Sequence, residues 1–199
     1  MRNSQCLSVS VSLWFVFVSV FPEINSRVRT GLDGRSAHTS MWMAMSALEN
    51  FPRITPFLWF DSNAEEAVNF YLTVFKNSRS LQEMRIPGES GTHKILTIAF
   101  ELDGQKFTAL NGGPMFKFNE SVSFVVRCDS QEEIDYYWSK LTADGGNESQ
   151  CGWLKDKFGL SWQIVPARLG ELLSHPKAMQ AMMGMKKLDI AELENAGKS

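Results

Sequence analysis

From residue 54 onward the apolar positions follow two alternating rhythms. "ITPFLWF" (54–60) is a short β-rich run. Behind it the spacing becomes helical: Ala64, Ala67, Val68, Tyr71 and Val74 recur every three or four residues and form one stripe. Ser62 and Glu65 predict a capping box at the helix start. Three β-type stretches follow, "SLQEMRI", "HKILTIAFELDG" and "QKFTALNG". The rhythm then returns. "SVSFVVRC" predicts a strand, Ser130 and Glu133 a second capping box, and Ile134, Tyr137, Trp138 and Leu141 a second stripe. A short run near Ser149, then "CGWLKD" and "LSWQIVP", complete the unit. Asp61-Ser62 and Asp129-Ser130 stand 68 residues apart in matching contexts, which marks an internal repeat. Both units read β-α-β-β-β, at about 54–113 and 121–166.

Alternation within the strands assigns their faces. Leu160, Trp162 and Ile164 share one face of the last strand; Ser161, Gln163 and Val165 share the other. Asp156-Lys157-Phe158-Gly159 before it predicts a hairpin turn, with glycine where φ must be positive. In "HKILTIAF", Leu96, Ile98 and Phe100 fall on one face, and His93, Ile95, Thr97 and Ala99 on the other. Phe107 and Trp162 are predicted to face the helices. Lys106, Thr108, Ser161 and Gln163 lie on the complementary faces, with Trp59 and Trp153 as candidate aromatic lining. A β-α-β-β-β unit covers only one face of its sheet. Two units side by side therefore predict an α+β fold: one curved mixed sheet, helices outside, and a cavity where the uncovered faces meet. A glutamine on such a face, within an apolar strand, is the first candidate for contact with something other than protein.

The ends differ from this core. Arg2 precedes "CLSVSVSLWFVFVSVF", a run of 16 residues without charge, which resembles the start of a signal peptide but is short for a membrane span. No A-x-A-like cleavage site follows. Met41, Met43 and Met45 stand directly before the first unit, so residues 1–45 read as a leader or as upstream sequence ahead of the true start. After the domain (52–170), residues 171–199 predict a helical tail. Met179, Met182, Met183 and Met185 form a stripe there of the kind that fills a core or a subunit contact, and "KKLDIAELENAGKS" is expected to fray.

Composition narrows the function. A net charge of −2 over 199 residues leaves no electrostatic footprint for nucleic acid. Cys6, Cys128 and Cys151 have neither CxxC spacing nor an even count and suit a reduced, cytoplasmic protein. Export or membrane anchoring is the alternative if residues 1–26 are a genuine signal; the folded domain itself calls for no membrane. Fourteen Phe and six Trp imply extensive aromatic packing or an aromatic-lined pocket. No GxSxG and no convincing Cys–His pair offers a nucleophile.

"TPFLWFDSNAEEAVNFY", "FELDGQKFTALNGGPMFKFNESVSFVV", "CGWLKDKFGLSWQIVP" and "MQAMMGMKKLDIAELENA" resemble the vicinal oxygen chelate superfamily of glyoxalases, extradiol dioxygenases and bleomycin-resistance proteins. The wording is most similar to its PhnB-like branch, labelled "3-demethylubiquinone-9 3-methyltransferase", over about 52–196. The resemblance implies a divalent metal in the cavity, held by histidines on the first strand and glutamates on the last strand of each unit. Gln163 stands at one glutamate position, and Thr108 lies near the other. The histidine positions fall near Ile54–Thr55 and Val122–Ser123. None is a histidine or carboxylate, and glutamine without its charge is a weaker ligand. His93 is the remaining metal candidate. "NGGP" (111–114) precedes a proline and a β-like run, unlike a methyl-donor loop. The resulting expectation is a small organic ligand bound without a conventional metal set, touching Gln163, Ser161, Thr108, Lys106 and Trp59, in a homodimer. The alternatives are a metal-dependent enzyme of the glyoxalase or dioxygenase type, using Gln163 and His93, and the methyltransferase of the family label.

Overall fold

The computed structural model describes residues 51–87 and 92–198. The leader expected at 1–45 lies outside these residues. From Pro52 onward the chain is one compact unit.

Strand β1 (Phe57–Phe60), helix α1 (Ala64–Val74) and strands β2 (Ser78–Pro87), β3 (His93–Leu102) and β4 (Gln105–Asn111) form the first repeat. Strand β5 (Ser123–Cys128), helix α2 (Gln131–Thr142) and strands β6 (Asn147–Glu148), β7 (Trp153–Lys155) and β8 (Ser161–Pro166) form the second. Helices α3 (Leu169–Leu172), α4 (Pro176–Gly184) and α5 (Ile190–Lys198) complete the tail. The strand orders are β1-β4-β3-β2 and β5-β8-β7-β6, the same topology twice. In each unit the first strand runs parallel to the last, and the other pairings are antiparallel. The fold is α+β, as the periodicity implies. The strands form two four-stranded sheets, one from each unit, and neither is closed.

The helix stripes bury as predicted: Ala64, Ala67, Val68, Tyr71 and Val74 on α1, and Ile134, Trp138 and Leu141 on α2. The helix-facing sides of both sheets join them in one core. Phe107 stacks on Phe100 and meets Phe124 edge-on, and Phe124 in turn meets Trp162. Tyr136 of α2 donates to the Val74 carbonyl at 3.0 Å, and Lys157 pairs with Glu66 across the units. The units therefore pack through the sides that carry the helices. The opposite faces keep large apolar groups in solvent: Phe57 is 56% exposed and Val125 55%.

Three sequence expectations change. The Ser62–Glu65 box does not form: α1 begins after Asn63, and Asn111 Oδ1 accepts from Ala64 N at 2.8 Å instead. Asn111 Nδ2 also donates to the Ile95 carbonyl, so one amide ties the helix start to β3 and β4. The second box is real: Ser130 accepts from Glu133 N, and Glu133 reaches back to Asp129 N. The second change concerns β3. Met84 pairs with Thr97 but Arg85 with Ile95, which leaves Leu96 as an extra residue. This bulge resets the alternation, so Ile95 joins the core and not the open face. The third concerns the tail, which does not fray. Leu188 and Leu193 are fully buried with Val165, Leu172 and Met185 in a second cluster. Gln131 holds this segment at both ends of its amide, donating to the Leu188 carbonyl and accepting from Ile190 N. Among the described residues no helix is long and apolar enough to cross a membrane.

Candidate functional site

The face of the second sheet turned away from α2 carries the most site-like geometry. Trp162 and Ile164 of β8 enter the core, so Ser161, Gln163 and Val165 point the other way. The tail covers Val165. Registers across the sheet then build two rows on this face. Ser123, Ser161, Lys155 and Asn147 are successive cross-strand partners, as are Val125, Gln163 and Trp153. Directly paired side chains stand roughly 4.5–5.5 Å apart at Cβ, close enough to act on one ligand.

A groove of about 290 Å³ opens on this surface, lined among others by Glu120, Asn147, Trp153, Lys155 and Ser161. Its most informative atom is Ser161 Oγ. The residue is fully buried, and among the described residues Oγ has no hydrogen-bond partner. A buried hydroxyl without a protein partner is costly and calls for a water, an ion or a ligand to complete it. Ser161→Ala should therefore stabilise the free protein by about 1 kcal/mol, because it removes an unsatisfied group. Urea melts of the two proteins check this; a loss of stability would show that the hydroxyl is already satisfied.

Gln163 Nε2 donates to Ser123 Oγ at 2.8 Å. These two residues occupy the last-strand and first-strand positions of one unit at which the resemblance implies a glutamate and a histidine. Here the donors are a neutral amide and a hydroxyl already bonded to each other. Such a pair does not fit a divalent cation, which needs several anionic or imidazole ligands. Among the described residues no three His, Cys, Asp or Glu converge on one point. His93 is exposed at the start of β3, paired with Pro87 on the strand margin.

The other expected contacts lie on the first sheet. Thr108 is buried between Phe57 and Ala99 in register, and Lys106 is half-buried opposite Glu101. Trp59 Nε1 donates to the Gly113 carbonyl at 2.8 Å, and its ring meets Phe116 edge-on. A Cβ at Gly112 would come within 2.4 Å of that ring, so glycine is required by this close approach. Irregular chain, not a helix, follows Gly112-Gly113-Pro114. The glycine pair thus serves Trp59 and does not cradle a methyl donor. The groove itself draws only on second-sheet strands, their loops and Glu120. Of the five expected ligand contacts, Ser161 and Gln163 are brought together, and Thr108, Lys106 and Trp59 share the first sheet instead.

Two groups legible only from structure complete the setting. Asp156 opens the predicted turn, and Gly159 has φ +85° as expected. Its carboxylate is almost fully buried and accepts from Phe158 N, Leu160 N, Tyr71 OH and Trp162 Nε1. It joins the two units beneath the groove strand. Lys155 pairs with Glu120. Cys128 offers no reactive thiolate: burial first, then Glu133 and Asp129, push its thiol up to about 12.

The model of the 3-demethylubiquinone-9 3-methyltransferase family matches residues 52–165. Among solved structures, a PhnB protein from Bacillus cereus is 35% identical, with a TM-score of 0.51, over 57% of this chain and 99% of its own. A Pseudomonas aeruginosa protein is 19% identical over 58% of this chain and 98% of its own, with a TM-score of 0.48. The fosfomycin resistance protein FosX from Mesorhizobium loti is 12% identical over 62% and 98%, with a TM-score of 0.46. No curated protein matches the chain.

Proposed function

Because the chain belongs to the 3-demethylubiquinone-9 3-methyltransferase family, the PhnB-like branch of the vicinal oxygen chelate superfamily, we propose that it binds a small organic molecule on the open face of its second sheet, without a metal. The observation that carries this reading is the buried, unpartnered Ser161 hydroxyl at the groove. Trp153 supplies a half-buried aromatic surface on the same face. A few placed polar groups within such a lining are what a small-molecule site needs. Gln163 and Ser123 form a hydrogen-bonded pair on the same face, in register with Trp153 and Ser161. A nuclear magnetic resonance screen of fragments against isotope-labelled protein, with chelator present, tests the proposal. Hits should shift the amides of Ser161, Gln163, Lys155 and Trp153 together. Hits that map only elsewhere would overturn it.

The same faces suggest a homodimer. Phe57 and Val125 are exposed on the open faces, and Met115 and Phe116 project from the linker between the units. Exposed apolar groups in this number favour cover by a partner, and a second copy is the commonest one. Sedimentation equilibrium should give twice the chain mass, and Phe57→Lys combined with Val125→Lys should reduce it to one. A wild-type monomer would contradict the expectation.

A further inference from the structure

We propose that the groove on the second sheet selects ligands bearing a terminal oxyanion, a carboxylate or a phosphate monoester, and that Glu120 is its built-in competitor. The inference rests on the binding role proposed above and adds the chemistry of the ligand.

The argument begins with the row Asn147–Lys155–Ser161–Ser123. Three strand pairings fix these four residues as cross-strand neighbours on one face. Three of them, Asn147, Lys155 and Ser161, line the groove. Their polar atoms are an amide, an ammonium and a hydroxyl, each able to donate a hydrogen bond. The hydroxyl is fully buried and unpartnered. A row of donors with one cation calls for an acceptor that carries negative charge, since charge-assisted bonds are the strong ones.

Charge accounting within the groove points the same way. Glu148 is committed elsewhere: it accepts from Trp138 Nε1 at 2.8 Å and pairs with Lys186. Asn147 Nδ2 makes only a 3.3 Å contact with the Gly145 carbonyl. Among the described residues the Lys155 ammonium pairs with Glu120, which comes from the chain between the two units and has a side chain 64% exposed. An ion pair with so exposed a partner contributes little to stability and is readily exchanged. The Glu120 carboxylate thus marks where a ligand oxyanion would sit: on Lys155, beside the hydroxyl of Ser161. The ligand's apolar part would then lie over Trp153, the neighbour of Lys155 one row along the face. A groove of about 290 Å³ admits a single-ring compound.

Benzoate, phenyl phosphate and the neutral isostere benzamide separate the alternatives, titrated into the full chain by magnetic resonance at constant ionic strength. One or both anions should bind in the groove on the order of tenfold more tightly than benzamide, equivalent to one extra charge-assisted contact. Whichever anion is preferred identifies the carboxylate or the phosphate class. Lys155→Met should abolish the preference. Glu120→Gln should tighten the anions several-fold relative to benzamide, a result that a merely structural ion pair would not give. Equal binding of benzamide and the anions in the groove would overturn the oxyanion inference and leave the binding role intact. Anions that bind only outside the groove, or that weaken with Glu120→Gln, would also overturn it.

Discussion

Asp156→Ala is expected to cost about 4 kcal/mol of stability, because several buried donors lose their acceptor at once and each contributes on the order of 1–3 kcal/mol when stranded. Tyr71 OH and Trp162 Nε1 come from different units, at 2.8 and 2.9 Å, so the loss should loosen the junction between them as well as the turn. The pH dependence has a distinctive sign. Burial pushes the Asp156 carboxyl above its ordinary range, and the bonds from Trp162, Tyr71, Leu160 and Phe158 pull it back only in part. A folded-state value above the unfolded one means that its contribution is fully present below the unfolded pKa. That contribution is lost as pH rises through the folded pKa. The stability of wild type minus that of Asp156→Asn should therefore fall as pH rises from the ordinary carboxylate range. Surface carboxylates such as Glu148 behave oppositely: the Trp138 hydrogen bond lowers its pKa, and its contribution disappears on acidification. Urea melts of both proteins across the acid range measure the difference directly. A difference that grows with pH would show that the four donors outweigh burial.

Trp162→Ala should cost about 3–5 kcal/mol, as expected for removal of a buried aromatic. The side chain is 3% exposed and contacts the rings of Tyr71, Phe75 and Phe124. Its neighbour on the opposite face should behave differently. Gln163→Ala removes one hydrogen bond, to Ser123, and should cost about 1 kcal/mol or less. Denaturant melts of the two variants test the assignment of the β8 faces, and the reverse ordering would show them exchanged. The Trp162 and Asp156 effects should not add, because both variants break the same 2.9 Å bond.

The repeat was legible because each unit states its own boundaries: a period-2 strand, a 3.6-residue stripe and polar turns. The β8 faces followed from alternation alone, and Gly159 from the turn it must allow. Features set by distant partners were not legible. Asn111 caps a helix 47 positions away, so the local Ser62–Glu65 signal pointed to the wrong device. The bulge at Leu96 shows how one inserted residue reverses a face assignment that alternation would otherwise fix. The tail reads as polar and methionine-rich, yet Leu188 and Leu193 suffice to anchor it once Val165 offers a surface. Within the site, Gln163 and Ser161 could be picked out because they interrupt an apolar strand. Lys155 and Asn147 could not, because their relation to Ser161 depends on the register of β6, β7 and β8, a strand set that begins with only two residues.

The central claim is that the second sheet binds its ligand through protein groups alone. Its most direct test is the affinity of a groove-binding compound, measured by calorimetry on protein dialysed against chelator and again after addition of manganese, nickel or zinc. The account predicts the same affinity in every case, weakened by Ser161→Ala. Binding that vanishes on chelation and returns with one of the metals would contradict it.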